Sequence, residues 1–288
     1  MKLLRSLRLL FPNSLQRWLV LAIATWIAVV GTSLATMRAG YSFSLRDLLP
    51  SAIEYIQLSN MSDEREVSIG RQIDSQLKSN SDVSIYNSAR VRDFLDEIGE
   101  RLVAVSDRPE LPFTFQVVND SSINAFATLG GFVYINTGLM AAAENESELA
   151  GVVAHEIAHI TEKHVIERMK QAAVARGVAG SAGVDDSVLV GIGYELALSL
   201  PNSRRAEYEA DEVGQKMLRD AGYAPTGLIS FFEKLQAASN GRSVPTILST
   251  HPPTENRIAR LEEDIDESER NRGDGLDAAD YRRQVSPL

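Results

Sequence analysis

Residues 148–164, ELAGVVAHEIAHITEKH, carry a contradiction that the rest of the chain has to resolve. Asn145 is placed to cap a helix, with Glu148 at the reciprocal capping position, and the helical pattern continues to about Gln171. Between Leu149 and Ile160 apolar or small residues fall on nearly every side, so this helix belongs in the interior. It nevertheless takes His155, Glu156 and His159 in with it, and burying three ionisable side chains without partners is costly.

A metal ion removes that cost. On a helix, residues 155 and 159 lie one turn apart and about 40° round the axis, so both imidazoles reach one point. Glu156 is offset by about 100°, too far round to be a third ligand but placed to touch a water on the same ion. H-E-x-x-H thus reads as two ligands and a general base. The competing reading is a pair of hydrogen-bonded helix histidines, since a pattern with three fixed positions also arises by chance.

A hydrolytic zinc site needs a third protein ligand and an open position. The segment RRAEYEADEVG, residues 204–214, offers Glu207, Glu209, Asp211 and Glu212. Ala210, Gly214 and Leu218 define one helix face, and Glu207 lies within about 60° of each. Asp211 shares that face, whereas Glu209 and Glu212 point away with Lys216 and Arg219 as solvated charges. Glu207 is therefore the candidate ligand, and Asp211 a partner that holds a ligand histidine by its second nitrogen. His164, nine residues after His155, falls half a turn round the helix and reads as structural or solvent-facing. His251 precedes Pro252-Pro253 in a stiffened loop, ahead of a helix from Thr254 that carries Arg257.

Helical spacing predicts further helices at 63–77, opened by Asp63 and Glu66, at 91–102, 203–221, 225–238 and 254–263. FTFQVV alternates as a half-buried strand, and a second strand is expected at 131–135 after Gly130-Gly131, which leave room for another backbone. The fold class expected is α+β, mostly helical, with a small antiparallel or mixed sheet beside the 148–164 helix. The Ala/Gly-rich stretch 172–200 reads as helical pieces around a loop, either a lid or core packing. Residues 263–288, charged and Gly-punctuated, read as a disordered tail.

Trp18–Met37 is a run of 20 uncharged residues, long enough to span a bilayer core of roughly 30 Å. Lys2, Arg5, Arg8 and Arg17 precede it with no acidic residue, which sets the N-terminus in the cytoplasm. Residues 1–40 are read as an uncleaved signal anchor and 41–60 as a connector; cleavage near Ala35 would release the domain instead. The net charge of −10 argues against nucleic acid, and the absence of cysteine excludes disulfides and thiol chemistry.

Taken in order, N-A-F…G-G…T-G-L…E-L-A-x-V-x-A-H-E-x-A-H, then E-Y-E-A-D-x-x-G, then H-P-P-x-x-x-R resembles the M48 family of zinc metallopeptidases over residues 61–262. Its single-span and periplasmic bacterial members are the most similar. The resemblance implies a zincin-type domain with one Zn2+ held by His155, His159 and Glu207, and Glu156 as general base. It implies that Asp211 matches the motif aspartate, and that His251 and Arg257 approach the metal. His251 then either stabilises the transition state or occupies the open zinc position as an inhibitory switch. The segment Gly131, Phe132, Val133 and Tyr134 resembles the family's substrate-binding edge strand. A membrane-tethered endopeptidase for unfolded or damaged envelope proteins is expected, in the bacterial inner membrane with its domain periplasmic. The alternative is an inactive or autoinhibited binding or chaperone-like module. Neither a lipobox cysteine nor repeats after the domain are found, so repeat-mediated docking of partners is not expected.

Overall fold

In the computed structural model, Leu58 and residues 61–175, 185–199, 202–239, 245–251, 255–270 and 272–288 are described. The expected membrane segment 18–37, almost all of the connector 41–60, the loop 252–254 and the middle of the Ala/Gly-rich stretch lie outside them. Among the described residues no helix is long and apolar enough to cross a membrane.

Period-two residues build the sheet. Strands β1 (Thr114–Val118), β2 (Ala125–Ala127) and β3 (Phe132–Asn136) lie in the order β1-β3-β2, with β1 parallel and β2 antiparallel to β3. Alternation gives the sheet two buried faces. Phe115, Val117, Val133 and Ile135 turn into the larger core, while Val118, Phe132 and Tyr134 turn into a smaller one. The sheet is mixed, as the sequence allowed. The edge-strand expectation is corrected, however: Gly131, Phe132, Val133 and Tyr134 lie in or beside the central strand. Its two sides are taken by β1 and β2, so its backbone has no edge to offer. Gly130, at φ 74°, makes the turn that leads into β3; an added Cβ would sit 2.7 Å from the Val67 Cα.

Helices α1 (Asp63–Ser79) and α2 (Ala89–Val103) cover opposite faces of the sheet. Ser62, not Asp63, caps α1, accepting from the Arg65 N–H. Glu66 is thereby freed from capping and pairs inside with Arg108 at 2.8 Å. Arg108 also donates to the Ile160 carbonyl, which pins the end of the next long helix.

That helix follows the short α3 (Thr137–Ala142). It is α4 (Glu146–Thr161), with Asn145 accepting from the Glu148 N–H as expected and every residue from Ser147 onward buried. It stops ten residues earlier than the pattern suggested. Lys163 adopts φ 57°, and α5 (His164–Ala175) leaves in a new direction. No glycine marks the break, so the sequence gives no stop signal there. After α6 (Asp186–Ser199), helices α7 (Arg204–Asp220) and α8 (Gly227–Ser239) pack on α4. A Cβ on Gly214 of α7 would stand 3.1 Å from the His155 N, so the missing side chain lets α7 lie close along the His-bearing face. A short α9 (Ile247–Thr250) and α10 (Glu255–Glu263) follow.

The described residues of the tail pack on the domain, contrary to the expectation from its composition. The Ala224 N–H donates to the Asp274 carbonyl and the Ser147 N–H to the Gly275 carbonyl, and α11 (Ala278–Val285) completes it. Tyr281 is 1% exposed, its ring 6.0 Å from that of Phe94. This aromatic anchor, the buried Ile265, main-chain bonds and ion pairs such as Arg101–Asp274 hold the segment, and an average over many charged residues hides them. Tyr281→Ala is expected to lower unfolding free energy by about 3 kcal/mol. The urea midpoint checks this, and an idle tail would leave it in place.

Candidate metal centre

Helices α4 and α7 bring the H-E-x-x-H face against the Glu207 face, and α9 delivers His251 from a third direction. One ligand atom from each of His155, His159, Glu207 and His251 lies within 4.8 Å of the others, and all four residues are buried. His155 Nε2 is 3.1 Å from His159 Nε2 and 3.2 Å from His251 Nδ1. Glu207 places Oε1 3.4 Å from His159 Nε2 and 3.1 Å from His251 Nδ1.

Lone pairs of several imidazoles pointing at one another are unfavourable unless a cation or proton sits between them. Two imidazoles and a carboxylate form the nitrogen–oxygen donor set of hydrolytic zinc, so these residues fit that ion. Without it the cluster shares protons. Burial alone depresses His155, but the Asp211 and Glu207 carboxylates outweigh it and push His155 up to about 9. Burial, together with the charges of His155 and His251, holds His159 well below its ordinary value despite Glu207. Glu207 stays well below the usual carboxylate range: burial opposes this, but His251, His155 and His159 prevail.

Asp211 Oδ1 stands 3.0 Å from His155 Nδ1, the nitrogen facing away from the cluster. Asp211 is in turn gripped by Arg257, whose Nε and Nη2 each donate at 2.6 Å. Arg257 reaches Glu207 Oε2 as well, at 2.8 Å, and its guanidinium lies 4.4 Å over the Phe232 ring. One cation thus orients both the third candidate ligand and the carboxylate behind the first. Glu156 is 1% exposed, with Oε1 3.4 Å from His251 Nε2. Burial pushes its carboxyl up, Glu207 adds to this, and His251, His155 and Arg257 oppose it.

His164 is structural rather than solvent-facing, and it stands outside the four-residue ligand group. Placed on a straight helix it belonged elsewhere, but the turn at Lys163 swings it back, and it is buried with Nδ1 2.8 Å from His159 Nδ1. Its Nε2 faces Glu209 Oε2 at 3.6 Å, so Glu209 is only partly the solvated charge expected. Glu212 is exposed as read. If His159 binds a metal through Nε2, its Nδ1–H donates to His164, which fixes the tautomer. His164→Ala is expected to weaken zinc binding about tenfold or more, measured by competition with a chelating dye; unchanged affinity would make His164 a packing residue only.

Asn202 and Arg168 escaped the sequence reading altogether. Asn202 Nδ2 lies 3.4 Å from His159 Nε2, and Arg168 Nη1 donates to Asn202 Oδ1 at 3.1 Å. Both line one small cavity with Glu156, His159 and His251, roofed by Phe126 and Ala127 of β2. Nothing in PNSRR marked the asparagine beyond a turn.

The sequence pattern of peptidase family M48 matches residues 90–265, more than half of the chain. The putative beta-barrel assembly-enhancing protease of Vibrio cholerae is 33% identical over 69% of this chain and 44% of its own length. The mitochondrial metalloendopeptidase OMA1 of Schizosaccharomyces pombe is 31% identical over 61% of this chain and 53% of its own. Metalloprotease LoiP of Escherichia coli is 28% identical over 81% of this chain and 94% of its own. The chain therefore spans less than half the length of the beta-barrel assembly-enhancing proteases that it matches.

Proposed function

The chain belongs to peptidase family M48, and from that we propose that it is a zinc-dependent endopeptidase, tethered to a membrane through residues 18–37 and acting on unfolded or damaged polypeptides in a bacterial periplasm. The observation that carries the reading is the meeting of His155, His159 and Glu207 in one buried cluster, where His159 also lines a cavity with Glu156 beside β2. His155, His159 and Glu207 would hold the zinc ion, which when bound would acidify a water and polarise the scissile carbonyl.

Glu156 takes a proton from the attacking water as the new C–O bond forms, then hands it to the amine nitrogen as the C–N bond breaks. Arg257 and Asp211 keep the ligands oriented while charge shifts. The substrate lies against the outer edge of β2. Asn124 and Thr128 bond inward to β3, so by antiparallel alternation Ala125 and Ala127 direct their main-chain groups outward. Strand addition there selects extended segments, which a native helix cannot present. Unpaired strands of unassembled β-barrel proteins fit that demand, and the name of the Vibrio relative makes them the first substrates to try.

His251 supports a second reading, an autoinhibited module with chaperone-like binding. Its Nδ1 stands within the ligand cluster, where it competes for the open position. One experiment separates the two: bound zinc and casein hydrolysis are measured with and without 1,10-phenanthroline, in the parent and in His251→Ala. Zinc-dependent cleavage supports the peptidase, and faster cleavage by His251→Ala supports the switch. A zinc-loaded chain that cuts nothing in either form sinks the enzyme.

A further inference from the structure

We propose that Asn202 is a further catalytic residue, the donor for the negative charge that builds on the scissile carbonyl oxygen; this rests on the peptidase reading above. When water adds to a peptide carbonyl, the C=O π electrons move onto oxygen. A donor already aimed at that oxygen then stabilises the transition state more than the substrate.

The cavity offers few such donors. His251 Nε2 faces Glu156 Oε1, and Arg168 gives hydrogens to Asn202 Oδ1 and to the Leu196 carbonyl. Asn202 is different. A guanidinium only donates, so the amide atom against Arg168 is the oxygen, and the NH2 group must face the cavity. There Nδ2 meets His159 Nε2, whose single lone pair is the one a metal takes. With an ion bound, the amide hydrogen loses that acceptor and remains directed into the cavity that Glu156 also lines. The side chain is preset: Arg168 fixes its oxygen, and the Asn202 N–H bonds the Thr250 carbonyl at 3.0 Å, beside His251. A fixed donor costs no reorganisation when the charge appears.

The test uses the full-length zinc-loaded chain and a fluorogenic peptide from a casein site that the parent cleaves. Asn202→Asp retains the partner of Arg168 but replaces the donor with an acceptor; Asn202→Ala removes both. Both variants are expected to lose about 100-fold in kcat, with KM and bound zinc close to the parent. In a Glu156→Gln background, a phosphinic analogue of the peptide should bind Asn202→Asp about 100-fold more weakly, and the peptide itself equally well. Asn202→Asp with parental kcat would overturn the proposal and leave the residue a mere anchor for Arg168. Loss of zinc together with kcat would also overturn it, by placing Asn202 in the hold on the metal. A parent that cleaves no casein defeats the peptidase reading itself, before any variant is compared.

Discussion

Replacing Glu156 by glutamine is expected to lower casein turnover by roughly 10²- to 10⁴-fold while bound zinc stays at the parental level. The two side chains have one shape, so packing in the 1%-exposed site is kept. Only the capacity to accept a proton is removed. Burial raises the Glu156 carboxyl above the ordinary range, which brings a base closer to the working pH and makes its conjugate acid a better donor to the leaving amine. Zinc per chain and kcat are measured on the same preparation. If zinc falls in parallel with turnover, Glu156 is a ligand rather than the base, and the division of labour along the helix is wrong.

The second large effect is on stability. Arg257 is 3% exposed and is the cation shared by Glu207 and Asp211. Arg257→Met keeps much of the packing on Phe232 but leaves two buried carboxylates short of a partner. Breaking a buried pair from one side costs about 3–5 kcal/mol, and the metal-free chain should lose that much in chemical denaturation. With zinc present the loss should be smaller, because the ion gives Glu207 a replacement cation while Asp211 keeps only His155. Equal losses with and without zinc would show that Glu207 does not bind the ion.

The site was legible in sequence to the extent that it lies on regular helices. His155, Glu156 and His159 follow from four-residue spacing, and Glu207 and Asp211 from the apolar face that Ala210, Gly214 and Leu218 mark. Of the three strands, β1 was visible from the alternation of FTFQVV and β3 from the glycines before it. Wheel geometry missed the contact of His164 with His159 because it assumes a straight helix, and Lys163 ends this one with a left-handed residue that no glycine announces. The edge-strand expectation, drawn from the family resemblance, failed because strand order depends on which neighbours pair, and β2, three residues long, carries almost no periodic signal. Composition failed for residues 264–288, where Tyr281 is one residue among many charged ones.

By itself the sequence determined the chemistry: which side chains share a helix face, and that a buried helix bearing two histidines and a glutamate needs a cation. Those are local facts, set by about 100° of rotation per residue. Only the tertiary structure decided what meets across elements. It set Arg257 between Glu207 and Asp211, turned His164 onto His159, and gave the sheet edge to β2. It also laid Asn202 beside the metal-facing nitrogen of His159. Such contacts join residues far apart in the chain, and what fixes them is the packing of α4 against α7 and the sheet, which no local pattern encodes.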